Sequence, residues 1–144
     1  MSGQHLHSSA LPPGSMLSKL GPRGSRADEK AARMGEERRQ LLAAHKVVDA
    51  RDQGHCRVCG RRCSPTAVSL VDRAERHHML RRRYEGAHCS QNLITLCRGC
   101  HNQIHAMGVL CVSGNADLRD VRGVLAGVKV ERLEESGWRV TGMV

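Results

Sequence analysis

The first regular pattern of apolar and polar positions along the chain predicts a helix over residues 28–52. Met34, Leu41 and Val48 lie seven residues apart and share one helical face, while the basic residues of this segment fall largely on other faces. Asp28 is a suitable N-terminal cap, because its carboxylate can accept from unpaired backbone N–H groups. The helix is expected to pack through its apolar face. Its basic side either is solvated or contacts phosphate.

Short strands and a second helix are predicted in the middle of the chain. Residues 67–80 mix apolar and polar positions and predict the first strand of a hairpin, and residues 81–91 form a charged loop. The apolar run at residues 92–96 predicts the second strand, and a helix is expected from about residue 98 to residue 107. This order of strand, loop, strand and helix describes a small α+β unit.

Three further strand patterns occupy the end of the chain: Val109–Val112, Val128–Leu133 and Trp138–Val140. The last two are separated by a Glu-Glu-Ser-Gly turn, which predicts a C-terminal β-hairpin.

Composition adds a charge that indicates a polyanionic partner. The chain of 144 residues has a formal net charge of +9 and is long enough for one compact domain with tails. Residues 51–105 carry ten arginines against four acidic residues, so the excess is largest where most of the cysteines and histidines lie. A basic surface that serves only solubility is the alternative interpretation.

The aromatic residues are too few to fill a large core without a further constraint. The chain has no Phe, one Trp and one Tyr, whereas it has seven cysteines that could supply metal ligands or disulfides. Residues 1–26 are rich in Ser, Gly and Pro, which predicts a disordered tail, and they contain no apolar stretch of signal-peptide length. No segment approaches the length of a membrane span. We therefore expect a cytoplasmic protein, in which paired cysteines bind metal more often than they form disulfides.

Two CxxC pairs predict a structural zinc site. Each pair, Cys56 with Cys59 and Cys97 with Cys100, can direct two thiolates at one ion. Four thiolates complete a tetrahedral site. A redox motif or buried free thiols are the alternatives. The remaining cysteines are expected to be ordinary small side chains: Cys63, Cys89 and Cys111.

A group of histidines predicts a second metal site with a catalytic function. His101 and His105 are four residues apart, so both face one side of the predicted helix. His77 and His78 are neighbours on a strand and point to opposite sides, so only one of them can join that ion. Three protein ligands are typical of a catalytic metal, and the other histidine can accept a proton near neutral pH. The alternative is a second structural zinc.

The run from His77-His78 through Asn92 to Cys100-His101 and His105 resembles the HNH endonuclease family. It is most similar to the zinc-braced members, in which CxxC pairs flank the nuclease motif, and the end of the chain resembles small phage-type members. The similarity covers residues 55–106.

The resemblance implies a role for each residue at a matching position. His78 matches the general base that activates water, and Asn92 matches the residue that fixes the loop and helps to orient the base. His77, His101 and His105 match the ligands of a catalytic divalent metal, which could be Mg²⁺, Mn²⁺, Ni²⁺ or Zn²⁺. Many family members have Asp at the position of His77, and the histidine makes the site more accepting of Zn²⁺ or Ni²⁺.

Three consecutive arginines follow the histidine pair directly: Arg81, Arg82 and Arg83. Guanidinium groups bind phosphate by charge and by paired hydrogen bonds, so these residues are predicted to hold the DNA backbone near the cut. A solvated charged loop is the alternative.

The implied function is a metal-dependent DNA endonuclease that hydrolyses phosphodiester bonds with histidine-activated water and one catalytic metal. No sequence-reading module is evident, so low intrinsic sequence specificity is expected, and no small-molecule substrate or membrane is implicated. Two other functions stay open: a non-cutting zinc-knuckle DNA-binding module, and an accessory nuclease of a phage DNA-packaging machine. The motif does not decide between DNA and RNA.

These patterns predict an α+β protein with a small ββα-metal HNH core, a structural four-cysteine zinc site, an N-terminal helix and a C-terminal β-hairpin. The predicted division is a disordered tail (1–26), a helix packed on the core (27–54), the nuclease core with zinc knuckles (55–107) and a strand extension (108–144).

Overall fold

The computed structural model describes residues 24–84 and 86–144. Within this part of the chain the α-helices are α1 (Arg26–Asp52) and α2 (Arg98–His105). The strands are β1 (Ala74–His78), β2 (Leu93–Cys97), β3 (Leu110–Gly114), β4 (Val128–Glu134) and β5 (Gly137–Met143). They form two antiparallel sheets, β1–β2 and β3–β4–β5. The predicted α+β class is confirmed.

Most of the tail predicted over residues 1–26 lies outside the described residues, which begin at residue 24. Neither α1 nor α2, the helices of the described part, combines the length and the apolar character that a membrane span requires.

The N-terminal cap of α1 is Ser25, three residues before the predicted cap. The Ser25 hydroxyl accepts from the backbone N–H of Asp28 at 3.2 Å, and the Asp28 carboxylate accepts from the backbone N–H of Ser25 at 3.0 Å. Asp28 is therefore the third residue of a capping box and not the cap itself. The helix ends where Gln53 and Gly54 both adopt left-handed backbone conformations.

Among the residues that the structure describes, only the C-terminal half of α1 packs against other elements. Ala44 and Val48 are buried in a small cluster with Leu93 of β2, and Leu41 packs at its edge. Met34, on the same predicted face, is 58% exposed. The seven-residue spacing thus identified the packing face, but the core meets only the last turns of the helix.

A hairpin followed directly by a helix forms the centre of the molecule. β1 and β2 pair antiparallel, with His78 opposite Leu93, and every residue of β2 is buried. β2 ends at Cys97, whose sulfur accepts from the backbone N–H of Cys100 at 3.5 Å and so caps α2. Because no loop separates β2 from α2, the strand fixes the direction in which the helix starts.

The C-terminal sheet is larger than the predicted hairpin, because β3 also pairs with β4. Val112 lies opposite Val130 in this pairing, and β5 forms the far edge. The inward-facing residues of this sheet share one core with β2 and the cysteines; they are Leu110, Val112, Val128 and Val130. The C-terminal sheet therefore packs against the same core as the hairpin and α2.

Candidate functional site

The first cysteine pair lies in a turn that directly follows α1. Two backbone hydrogen bonds close this turn: the N–H of Cys56 donates to the carbonyl of Arg61 at 2.8 Å, and the N–H of Gly60 donates to the carbonyl of Cys56 at 2.9 Å. Gly60 has a φ of 71°, a conformation that glycine adopts without strain. The turn is tight enough to direct Cys56 and Cys59 at one point.

The sulfur atoms of Cys56, Cys59, Cys97 and Cys100 all lie within 4.8 Å of one another. The sulfurs of Cys59 and Cys97 are 3.7 Å apart. Burial, and then the charge of Cys56, raises the pKa of the Cys100 thiol, so this thiol resists ionising unless a cation lies beside it. Four thiolates are the donor set of a closed zinc site, and these residues fit a structural zinc ion.

The other cysteines lie outside this group of four. Cys63 is buried in the main core, and burial raises the pKa of its thiol to about 11, so it is a protonated, inert side chain at neutral pH. Cys89 is half-buried in the loop before β2, and Cys111 is exposed on β3.

Three histidines converge from β1 and α2. The ligand nitrogens of His77, His101 and His105 lie within 4.8 Å of one another, and Nε2 of His105 is 3.1 Å from Nδ1 of His77. The two helical histidines have ring centres 4.5 Å apart, as their spacing of one helical turn requires. Residues from a strand and a helix thus form one compact donor set.

Two histidines of this group are held in the neutral form at neutral pH. Burial, and then the charges of His105 and His101, lowers the pKa of His77 to about 4. Burial, followed by the charges of His101 and Arg81, also lowers the pKa of His105. A neutral imidazole is the form that binds a metal, so the cluster fits a divalent cation.

His78 points away from His77 and meets a residue that the sequence did not single out. Its Nε2 lies 3.0 Å from Nδ1 of His88, and the two rings meet edge to face with centres 5.0 Å apart. His78 nevertheless lines the same surface depression as the three clustered histidines, together with Arg76 and Arg81. One opening therefore gives access to His78 and to the histidine cluster.

Asn92 ties together the loop that separates the two strands of the hairpin. Its side-chain N–H groups donate to the carbonyls of Leu80 and Ala87, at 2.9 and 3.1 Å, and its side-chain oxygen accepts from the N–H of Leu80 at 2.7 Å. Its backbone carbonyl accepts from the N–H of Met79 at 2.9 Å. Asn92 thereby fixes the backbone immediately after His78.

The arginines after the histidine pair have different surroundings. Arg81 lines the histidine depression. The guanidinium carbon of Arg83 lies 4.8 Å from the centre of the Tyr84 ring, and both residues are exposed. The side chain of Arg82 lies outside the described part of the structure. Of the two that are described, Arg81 is the one next to the histidines.

Sequence reasoning missed two histidines near this site. His88 contacts His78, and His45 on α1 lies near enough to His88 and Arg76 for both to contribute, after burial, to lowering its pKa. A signal for His88 was present, because it lies in the short loop between His78 and Asn92. No local pattern could have indicated His45, which is 33 positions before His78.

The family model of HNH endonuclease matches residues 56–107, the segment that contains both cysteine pairs, the hairpin and α2. The match confirms the resemblance seen in the sequence. It supports a nuclease-type function in general, with DNA as the implied substrate. No curated protein and no solved structure matches the chain.

Proposed function

We propose that this chain is a metal-dependent DNA endonuclease in which His78 activates the attacking water. The observation that carries the proposal is the shared depression, which presents His78 beside the cluster of His77, His101 and His105. A protein that used its histidines only for a structural metal would gain nothing from His78 at the same opening. The family match over residues 56–107 supports the same activity.

His77, His101 and His105 are the residues that would hold the catalytic cation. When bound, a divalent cation there supplies Lewis-acid stabilisation of the charge that develops on the scissile phosphate. The three ligands are two neighbours on α2 and one on β1, so the integrity of the hairpin and the helix decides whether the donor set forms.

Before substrate binds, His88 restrains the His78 ring through the contact of its Nδ1 with Nε2 of His78. His78 accepts the proton of the attacking water at Nε2 when this nitrogen exchanges His88 for the water. Asn92 restrains the loop after His78, which limits the movement of the base. Arg81 binds a phosphate oxygen at the rim of the depression and positions the strand for cleavage.

The four-cysteine site is proposed to hold zinc for stability and not for chemistry. Cys97 ends β2 and Cys100 lies in the first turn of α2, so a zinc ion there would fix the helix that presents His101 and His105. Phosphate contacts alone do not read a base sequence, so cleavage is expected to have low sequence specificity.

The proposal is tested with supercoiled plasmid and purified zinc-loaded protein, to which Mg²⁺, Mn²⁺, Ni²⁺ or Zn²⁺ is added in turn. We expect conversion to nicked or linear plasmid with at least one cation, and conversion about 10²- to 10⁴-fold slower with the His78→Ala variant. If the protein binds the plasmid but leaves it intact with every cation, it is a non-cutting binding module. A linear RNA of matched length in the same series distinguishes the two substrates.

A further inference from the structure

A second depression runs beside the histidine cluster, between α2 and the C-terminal sheet. It is lined by His77, Met79, Arg81, Ile104, Gly108, Leu110, Cys111, Val112 and Trp138. Most of these side chains are apolar, and its charged or polar members are His77 and Arg81. We call this depression the Trp138 groove.

The Trp138 groove and the histidine depression adjoin each other. Both are lined by His77 and by Arg81, so the two openings share a wall. An occupant of the groove therefore lies next to whatever is bound at the histidines. Under the proposed function that neighbour is the scissile phosphate, and the group attached to it on either side is a nucleoside.

The position of Trp138 is unusual for this chain. The protein has no Phe and no other Trp, so a large ring would be most useful in its core. Trp138 instead is 52% exposed, on the edge strand β5. Half-exposed Trp is typical of binding surfaces, where its ring offers a large, rigid contact area.

We propose that the Trp138 groove binds an unpaired nucleobase of the nucleotide next to the scissile phosphate, stacked on the Trp138 ring. The apolar walls suit the faces of a base, and Arg81 at the shared wall suits the phosphate that joins the base to the cleavage site. The inference rests on the proposed function. It makes the preferred substrate a single strand or a site where a base leaves the duplex.

The chain provides its own reporter, because Trp138 is its single Trp. The His78→Ala variant, zinc-loaded and without further metal, is titrated with a six-nucleotide thymidine oligomer while Trp fluorescence is recorded. We expect saturable quenching. A matched abasic oligomer, with the same number of phosphates and no bases, should bind more weakly and leave the fluorescence unchanged. Equal affinity for both oligomers, or quenching by duplex DNA alone, overturns the inference.

Substitutions locate the contact. In the His78→Ala background, affinity is measured with an end-labelled oligomer by anisotropy. Trp138→Ala should weaken binding about 5- to 150-fold, the usual loss for one stacked base, and Trp138→Phe should restore most of it. Val140→Ala is the matched control, since Val140 lies on the same strand, is equally exposed at 52% and is not among the groove-lining residues. Equal losses for Trp138→Ala and Val140→Ala contradict the inference.

The two proposals fail in different ways. If the unmodified protein cuts plasmid but the oligomer does not quench Trp138, the nuclease stands and the base-binding groove is refuted. If the oligomer quenches Trp138 in a base-dependent manner but no cation supports cleavage, the groove stands as a nucleic-acid site and the proposed nuclease is refuted.

Discussion

Removing Arg51 should cost this protein a large part of its stability, although Arg51 belongs to neither candidate metal site. All five N–H groups of its guanidinium donate: two to Asp52, one to Asp117, and one each to the carbonyls of Ser90 and Leu93. The side chain is 5% exposed, and that of Asp52 is completely buried. Arg51 therefore joins the end of α1 to the start of β2 and to the C-terminal region.

The size of the expected loss in free energy of unfolding follows from this burial. Arg51→Met keeps an unbranched apolar stem but leaves the Asp52 carboxylate buried without its main partner. Breaking a buried pair by removing one member typically costs about 3–5 kcal/mol. The total free energy of unfolding of a domain is about 5–15 kcal/mol, so the variant should lose at least about a fifth of it.

The measurement is urea unfolding followed by circular dichroism, with the same saturating zinc concentration for every variant because zinc binding contributes to stability. Arg39→Met is the matched control: Arg39 pairs with Glu36 on the exposed half of the same helix, where their side chains are 71% and 52% exposed. The free energy of unfolding of the Arg39→Met control should fall by no more than about 0.5 kcal/mol. A loss below about 1 kcal/mol for Arg51→Met would refute the reasoning, since that is the value of an exposed pair.

Four further predictions concern the two candidate sites. Cys97→Ser should lower the zinc content after purification from about one ion per chain and abolish cooperative unfolding of the core; an unchanged melting curve contradicts a structural zinc. His78→Ala should keep the fold and DNA affinity but slow cleavage about 10²- to 10⁴-fold at every metal concentration. Added metal should partly rescue His101→Ala. If added metal rescues His78→Ala instead, the roles of base and ligand are exchanged between these two histidines. Arg81→Ala should reduce the salt dependence of DNA binding by about one counterion, measured as the slope of log affinity against log salt, and an unchanged slope moves the phosphate contact elsewhere. His88→Ala should lower kcat with KM nearly unchanged, and His88→Asn should recover part of the loss; equal kcat for all three proteins would exclude a positioning role.

The grouping of the candidate ligands could be predicted from the sequence because their spacing is a local property. The side chains of residues 101 and 105 lie on the same side of any α-helix. Side chains of neighbouring residues in a strand point to opposite faces, so those of His77 and His78 had to point in different directions. The CxxC pairs are equally local. The existence of the two strands and of α2 followed from the apolar pattern, and the α+β class followed from their order.

Contacts between distant parts of the chain could not be predicted in this way. The network of Arg51 spans 66 positions to reach Asp117, and nothing in the local pattern of either residue indicates the other. Trp138 is 61 positions from His77, yet both line one groove because β3 to β5 fold back beside the hairpin. The cap of α1 is a different case, since Ser25-x-x-Asp28 is a local capping signature that was available in the sequence.

The candidate histidine site depends on the candidate cysteine site through α2. This helix has eight residues, fewer than the roughly 12–15 that an isolated helix needs to be even marginally stable in water. The first turn of α2 carries Cys100, and the residue after Cys100 is His101. A zinc ion at the cysteines would therefore fix the start of the helix that carries His101 and His105. The proposed catalytic donor set cannot assemble from His101 and His105 unless α2 is formed, and the candidate cysteine site lies at the capped end of this helix. Loss of the cysteine-bound zinc should therefore remove both sites together, whereas loss of a histidine ligand should leave the zinc in place.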